Sequence, residues 1–114
     1  MPKGYNGKIM RVNLSDRKIT VEKPSQNFYR RYMGGRALAL YYLLREVSAD
    51  TDAFDPENKI VFATSVITGA PIPGTSRHSV VAKSPLTNAY GESEAGGYWG
   101  VELKFAGFDA IIIE

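Results

Sequence analysis

Two stretches bring together residue types able to hold an anionic ligand. The first, Gly69-Ala-Pro-Ile-Pro-Gly-Thr-Ser-Arg77, follows an apolar run. Its glycines and prolines fix a rigid loop, and Thr75, Ser76 and Arg77 end it with two hydroxyls and a guanidinium. Arginine pairs bidentately with phosphate or carboxylate, so the loop suits an anionic cofactor; the alternative is an ordinary Pro/Gly connection with a solvated arginine. The second stretch is Glu94-Ala-Gly-Gly-Tyr-Trp-Gly100. Gly96 and Gly97, paired at a predicted helix start, let a ligand approach the backbone closely, where free N–H groups attract anions. Tyr98 and Trp99 either cover one side of a planar ring or belong to the core.

This second stretch is not a Walker loop, since no Gly-Lys-Ser/Thr ends it, and it lacks the Gly-x-Gly-x-x-Gly of a dinucleotide site. Gly34-Gly35-Arg36 repeats the pattern of small residues followed by a cation, and reads first as a helix–helix corner and second as a ligand contact. His78, the one histidine, reads as a satisfied or exposed side chain rather than a ligand. No paired carboxylates, Ser–His–Asp set or metal-ligand cluster can be assembled from the sequence.

The elements that must position these residues follow from periodicity. Residues 7–14 and 18–22 alternate apolar and polar about a Ser15-Asp16 turn, which predicts a β-hairpin closed by Pro24. Ser25 is a candidate N-cap for a helix to Met33. A second helix is predicted from Arg36 to Val47, with Ala37, Leu40, Tyr41, Leu44 and Val47 as its buried face. Strands follow at 59–65, 78–83 and 89–93, then a helix from Gly97 to Phe105 ended by Gly107, and a last strand at 109–113. Hairpins mixed with three helical segments make an α+β domain. The chain stops at Glu114, directly after an apolar strand, and this points to a truncated or split protein.

With 114 residues, 44% of them apolar, the chain is one domain with a substantial core. It has no cysteine, so it cannot supply a disulfide scaffold, a cysteine zinc site or the ligands of an iron–sulfur cluster. No apolar run is long enough to span a membrane and no signal-peptide h-region is present. A soluble, cytoplasmic protein is the expectation. The net charge of +2 does not argue for nucleic acid, but its distribution is uneven. Residues 1–60 hold eleven Lys/Arg against seven Asp/Glu, whereas between Ile60 and Gly91 only Arg77 and Lys83 are charged. That stretch suits a surface meeting an anion, or a core with two solvated cations.

The sequence resembles the N-terminal domain of the aldehyde ferredoxin oxidoreductase family, the tungsten- or molybdenum-pterin enzymes. The segments that carry the resemblance run the length of the chain in order: Gly7-Lys-Ile-Met-Arg-Val-Asn-Leu14, Gly34-Gly-Arg-Ala-Leu-Ala-Leu-Tyr41, Asp55-Pro-Glu-Asn-Lys-Ile60, Ser76-Arg77, Lys83-Ser-Pro-Leu-Thr87, Gly96-Gly-Tyr-Trp-Gly100 and Glu102-Leu-Lys-Phe-Ala-Gly-Phe-Asp-Ala-Ile111. What it implies is a β-rich base for a metal held by two pterin dithiolenes, in an enzyme that oxidises aldehydes to carboxylic acids and passes electrons through a [4Fe–4S] cluster to ferredoxin.

By the resemblance, Arg77 matches an arginine lying between pterin and cluster, and Gly96 and Gly97 match the backbone approach to the pterin. Glu94 stands where the family has an asparagine. Its main-chain carbonyl would reach a magnesium ion bridging the pterin phosphates, while its carboxylate would repel those phosphates unless magnesium or Arg77 offsets it. The chain corresponds to about the first half of the family's N-terminal domain, residues 1–114 being a partial tungstopterin-binding domain. The cluster ligands belong to parts it lacks, so alone it is expected to be apo and inactive. Its partners would be the remainder of the enzyme or a second subunit, with self-association through an exposed sheet face. The competing readings are a stand-alone interaction module that kept the fold without the redox chemistry, and a generic anion-binding α+β domain.

Overall fold

A computed structural model describes residues 4–114. The predicted hairpin forms from β1 (Ile9–Asn13) and β2 (Lys18–Glu22), antiparallel with Ile9 opposite Glu22. Its turn is held by the Asp16 N–H donating to Asn13 Oδ1 at 2.8 Å, and Arg17 adopts φ 54°. Helix α1 (Gln26–Tyr32) starts where Ser25 Oγ accepts the Phe28 N–H at 3.3 Å. Arg30 and Arg31 in its last turn oppose the negative end of the helix dipole.

Helix α2 (Gly35–Glu46) forms as predicted, but the buried face differs from the one expected. Leu38, Ala39, Tyr42 and Leu43 are buried, whereas Ala37 is exposed and Leu44 is 72% exposed. Apolar residues occupy every position from 37 to 44, so the pattern carries no phase, and the seat of the helix on the sheet decides it. Gly34 fixes that seat: a Cβ there would lie 2.6 Å from the Thr64 carbonyl oxygen.

The remaining strands are β3 (Ile60–Thr64), β4 (His78–Lys83), β5 (Tyr90–Ala95) and β6 (Ala110–Ile113), with α3 (Trp99–Phe105) before the last. Together they make one six-stranded sheet of order β2-β1-β6-β3-β4-β5. Only the β1–β6 pair is parallel; all other neighbours are antiparallel. The result is the α+β fold expected.

Side chains alternate between the two faces of a sheet. Ile9, Val61, Ala63, Val81, Ala110 and Ile112 are fully buried against α2, and with Leu38, Tyr42, Leu43 and Tyr29 they form the core. The opposite face presents Met10, Val12, Phe62, Val80, Ile111 and Ile113, all half-buried, with Ile19 and Val21 exposed on the edge strand. Helix α3 covers one end of that face by stacking Trp99 on Phe62 at 5.2 Å.

Two polar constructions tie the ends of the chain together. The buried Asp109 carboxylate accepts the N–H groups of Asn6 (2.9 Å) and Gly7 (2.7 Å) and pairs with Lys104 Nζ at 3.1 Å. At the other end of the sheet, Arg11 reaches Glu22, Glu46 and Glu114, and Lys59 pairs with Glu114 and Glu46. Arg11 and Lys59 together hold the Glu114 carboxyl below its ordinary value, the Arg11 hydrogen bond contributing most.

Candidate cofactor-binding site

The loop from Ser65 to Arg77 closes on itself before it offers anything to a ligand. The Gly69 N–H donates to the Thr75 carbonyl at 2.9 Å, and Thr68 Oγ donates to the Arg77 carbonyl at 2.8 Å. Thr75 Oγ lies 2.8 Å from the carbonyl oxygens of both Ala70 and Ile72. The Thr75 hydroxyl, read from sequence as a ligand group, is therefore spent on shaping the loop. The Arg77 side chain emerges from this rigid base 70% exposed, at the start of β4.

Antiparallel pairing of β4 with β5 places Ala95 opposite His78 and Glu94 opposite Ser79. That register brings the two sequence-predicted stretches to one end of the sheet. Arg77 Nη1 lies 3.8 Å from Glu94 Oε2, a long and exposed contact that leaves the guanidinium free to take another partner. A Cβ on Gly96 would lie 3.5 Å from Ser76 Oγ, so Ser76 sits against the glycine pair. Gly97 has φ +85°, with nothing within 4 Å of where a Cβ would stand. Bare backbone at Gly97 therefore faces open space.

Helix α3 begins at Trp99, two residues later than predicted. Gly96 and Gly97 thus form a turn ahead of the helix rather than its first residues. Tyr98 is 86% exposed, and its ring is available to a planar ligand. Trp99 divides its surface, stacking on Phe62 and on the His78 ring at 4.7 Å. His78 is buried, its Nδ1 has no hydrogen-bond partner, and burial lowers its pKa from the ordinary 6.5. Gly100 is packed so closely that a Cβ would come within 3.1 Å of that nitrogen.

One expectation is corrected at this point, while the structural reading of the Gly34-Gly35 corner, the first of the two the sequence offered, fits the packing. Lys83 is not a second cation of the site: it lies at the far end of β4 from Arg77, about 20 Å away at the rise of an extended strand. It is buried, with its ammonium donating to the Ala49 carbonyl at 2.6 Å. Gly34 and Gly35 serve packing, Gly34 against β3 and Gly35 beside Ser79 Oγ.

Arg36, which follows these glycines, pairs with Glu92 of β5 at 3.0 Å. Glu92 also accepts from the Tyr90 hydroxyl, and burial together with that hydrogen bond pushes the Tyr90 phenol up to about 12. The result is an ordered edge in which Glu92 and Glu94, on one face of β5, are each met by an arginine. Sequence reading missed the Glu92–Arg36 pair because 56 residues separate its members.

Among the described residues no three His, Cys, Asp or Glu side chains gather as metal ligands. An exposed guanidinium, open glycine backbone and an exposed aromatic ring suit an anionic organic cofactor that carries any metal itself. The Glu94 carboxylate alone would oppose such a ligand, and Arg77 beside it offsets that charge.

Residues 9–114 match the family model for the aldehyde ferredoxin oxidoreductase N-terminal domain. The chain is 49% identical over 111 residues to the tungsten-containing aldehyde ferredoxin oxidoreductase of Pyrococcus horikoshii, covering 97% of this chain and 18% of that protein. It is 37% identical to the aliphatic sulfonate oxidoreductase, WOR-like subunit, of Pyrococcus furiosus, again over 18% of that protein. Among solved structures it superposes at TM-score 0.96 and 32% identity on a chain of the active-site complex BamBC of benzoyl coenzyme A reductase in complex with 1,5-dienoyl-CoA. That match covers 100% of this chain and 18% of the other. The chain thus spans under a fifth of the length of these relatives. The match of residues 9–114 to the family model and the agreement in fold converge, and the chain belongs to the aldehyde ferredoxin oxidoreductase family.

Proposed function

We propose that residues 1–114 are a partial N-terminal domain forming part of the platform for a tungsten- or molybdenum-bis-pterin cofactor. The enzyme would oxidise aldehydes to carboxylic acids with ferredoxin as electron acceptor. Its relatives are named for tungsten and for that activity. The observation that carries the reading is the exposed Arg77 guanidinium on a self-closed loop, at the same end of the sheet as backbone at Gly97 that no side chain covers. When bound, the cofactor supplies the redox chemistry; this chain supplies position and charge. Arg77 binds and orients an anionic or carbonyl-bearing edge through paired N–H donors. Gly96 and Gly97 admit the ligand to the main chain, and Tyr98 covers a ring face. The Glu94 main-chain carbonyl would hold a magnesium ion that neutralises the cofactor phosphates. The [4Fe–4S] cluster would be bound by residues outside this cysteine-free chain, in the remainder of the enzyme or a second subunit.

The test is Arg77→Ala in the chain assembled with the rest of its enzyme. Metal and pterin content and turnover should fall while the unfolding midpoint stays put. Full metal content with undiminished turnover would overturn the assignment.

A second reading, a non-catalytic interaction module, is favoured by the half-buried apolar sheet face at Phe62, Val80, Ile111 and Ile113. In the first reading that face meets the remainder of the enzyme; in the second it meets another protein or a second copy. A continuing reading frame that carries the rest of the family sequence would decide for the first.

A further inference from the structure

Among the described residues three lysines are largely removed from water, and the protein treats one of them differently. Lys59 and Lys104, with side chains 15% and 11% exposed, are each paired with a carboxylate, Glu114 and Asp109 respectively. Lys83 is 7% exposed, and its ammonium meets only the Ala49 carbonyl oxygen at 2.6 Å. Among the described residues no carboxylate lies within 4.0 Å of it. An ammonium has three donors and is seldom buried without a counter-charge.

Lys83 also lines a cavity of about 220 Å³ between the C-terminal end of α2 and the β4–β5 connection. Leu43, Leu44, Val47, Ala89 and Tyr90 supply its mostly apolar wall, which also includes Ala49. The volume equals about seven waters, the size of a six-carbon acid. An inorganic anion would leave the apolar wall unfilled, and a neutral hydrocarbon would leave the ammonium uncompensated. From this pairing of an unopposed buried cation with an apolar cavity, we infer that the site binds a small organic carboxylate, its tail against Leu43, Leu44 and Val47 and its head at Lys83. The inference is independent of the cofactor reading, since this cavity lies at the opposite end of β4 from Arg77.

The test is an amide-shift titration of the isotopically labelled 114-residue chain with hexanoate and, separately, with 1-hexanol. Hexanoate should give saturable shifts centred on Leu43, Leu44, Val47 and Ala89, and 1-hexanol should bind about tenfold more weakly or worse, for want of the charge-assisted contact. Lys83→Met should remove the preference for the acid. Should that variant not fold, the 72% exposed rim residue Leu44 serves instead: Leu44→Asp should weaken hexanoate and Leu44→Lys strengthen it, each severalfold. Absence of saturable shifts, equal binding of acid and alcohol, or identical affinity in the two Leu44 variants would overturn the site and leave Lys83 as a tether for Ala49 alone.

Discussion

Lys104 Nζ stands 3.1 Å from Asp109 Oδ1, and both side chains are almost wholly buried. The same ammonium donates to the carbonyl oxygens of Gly4 (2.8 Å) and Ser65 (2.9 Å), while the carboxylate gathers the N–H groups ahead of β1. One ion pair therefore joins the N-terminal segment, the end of β3, α3 and the start of β6. Removing one partner of a buried pair strands the other.

Asp109→Ala should accordingly cost about 3–5 kcal/mol, a large share of the stability of a domain this size. Denaturant unfolding checks it. A loss no greater than that of an exposed substitution would show that the pair is not structural.

Two glycine substitutions should behave differently. In Gly34→Ala the new methyl would meet the Thr64 carbonyl oxygen at 2.6 Å, so α2 cannot seat; the cost lies at or beyond the upper end of the about 1–3 kcal/mol typical of overpacking. Gly97→Ala meets no neighbour and bears only the strain of its positive φ, about 1–2 kcal/mol. If the cofactor reading holds, Gly97→Ala nevertheless lowers pterin content in the assembled enzyme, because the methyl fills the approach to the backbone. Melting curves read alongside pterin content separate the two effects.

Stability should fall on acidification in two windows. His78 has a folded pKa below 6.5 because it is buried, so the unfolded chain takes up its proton first. Stability is lost as pH drops through 6.5 toward the lower folded value. The Glu114 carboxyl is also depressed, chiefly by Arg11; its contribution is present above the ordinary value of 4.5 and is lost as pH falls through the folded value. Unfolding free energy measured against pH checks both, with Glu114→Gln flattening the lower window. A single-histidine NMR titration reads the upper one directly; a midpoint at or above 6.5 would contradict the buried, unpartnered ring.

Arg77→Ala in the isolated chain should move stability by no more than about 0.5 kcal/mol. Its pair with Glu94 is long and exposed, and such pairs contribute little. Thermal unfolding of that variant, set beside the cofactor content of the assembled enzyme, distinguishes a binding arginine from a structural one.

Local chemistry made much of this molecule readable in advance. The β-hairpin, the Ser25 cap and the β4 span of 78–83 follow from alternation and capping, both short-range effects. Bringing the Arg77 loop to the same end of the sheet as the Gly96-Gly97 turn, by contrast, depends on the β4–β5 pairing, and the sequence alone left the two stretches separate. What escaped was set by distant partners. The buried face of α2 could not be chosen within an unbroken apolar run, and β5 reaches Ala95 only because His78 lies opposite it. Asp109 and Lys83 look like ordinary charged residues until the fold buries them. The Asp109 bonds to residues 6 and 7 span more than a hundred positions.

The single parallel pairing in the sheet has a consequence for how the chain must be made. β6 lies between β1 and β3, so the first and last strands meet near the middle of the sheet rather than at its rim. Until residue 113 has left the ribosome, the N-terminal hairpin has no inner neighbour, and the apolar residues of β3 face an empty lane. Closing a contact over about a hundred residues is slow relative to hairpin formation. Synthesis therefore exposes a half-built sheet whose unpaired strand edges invite pairing with other chains until β6 is available to fill the lane.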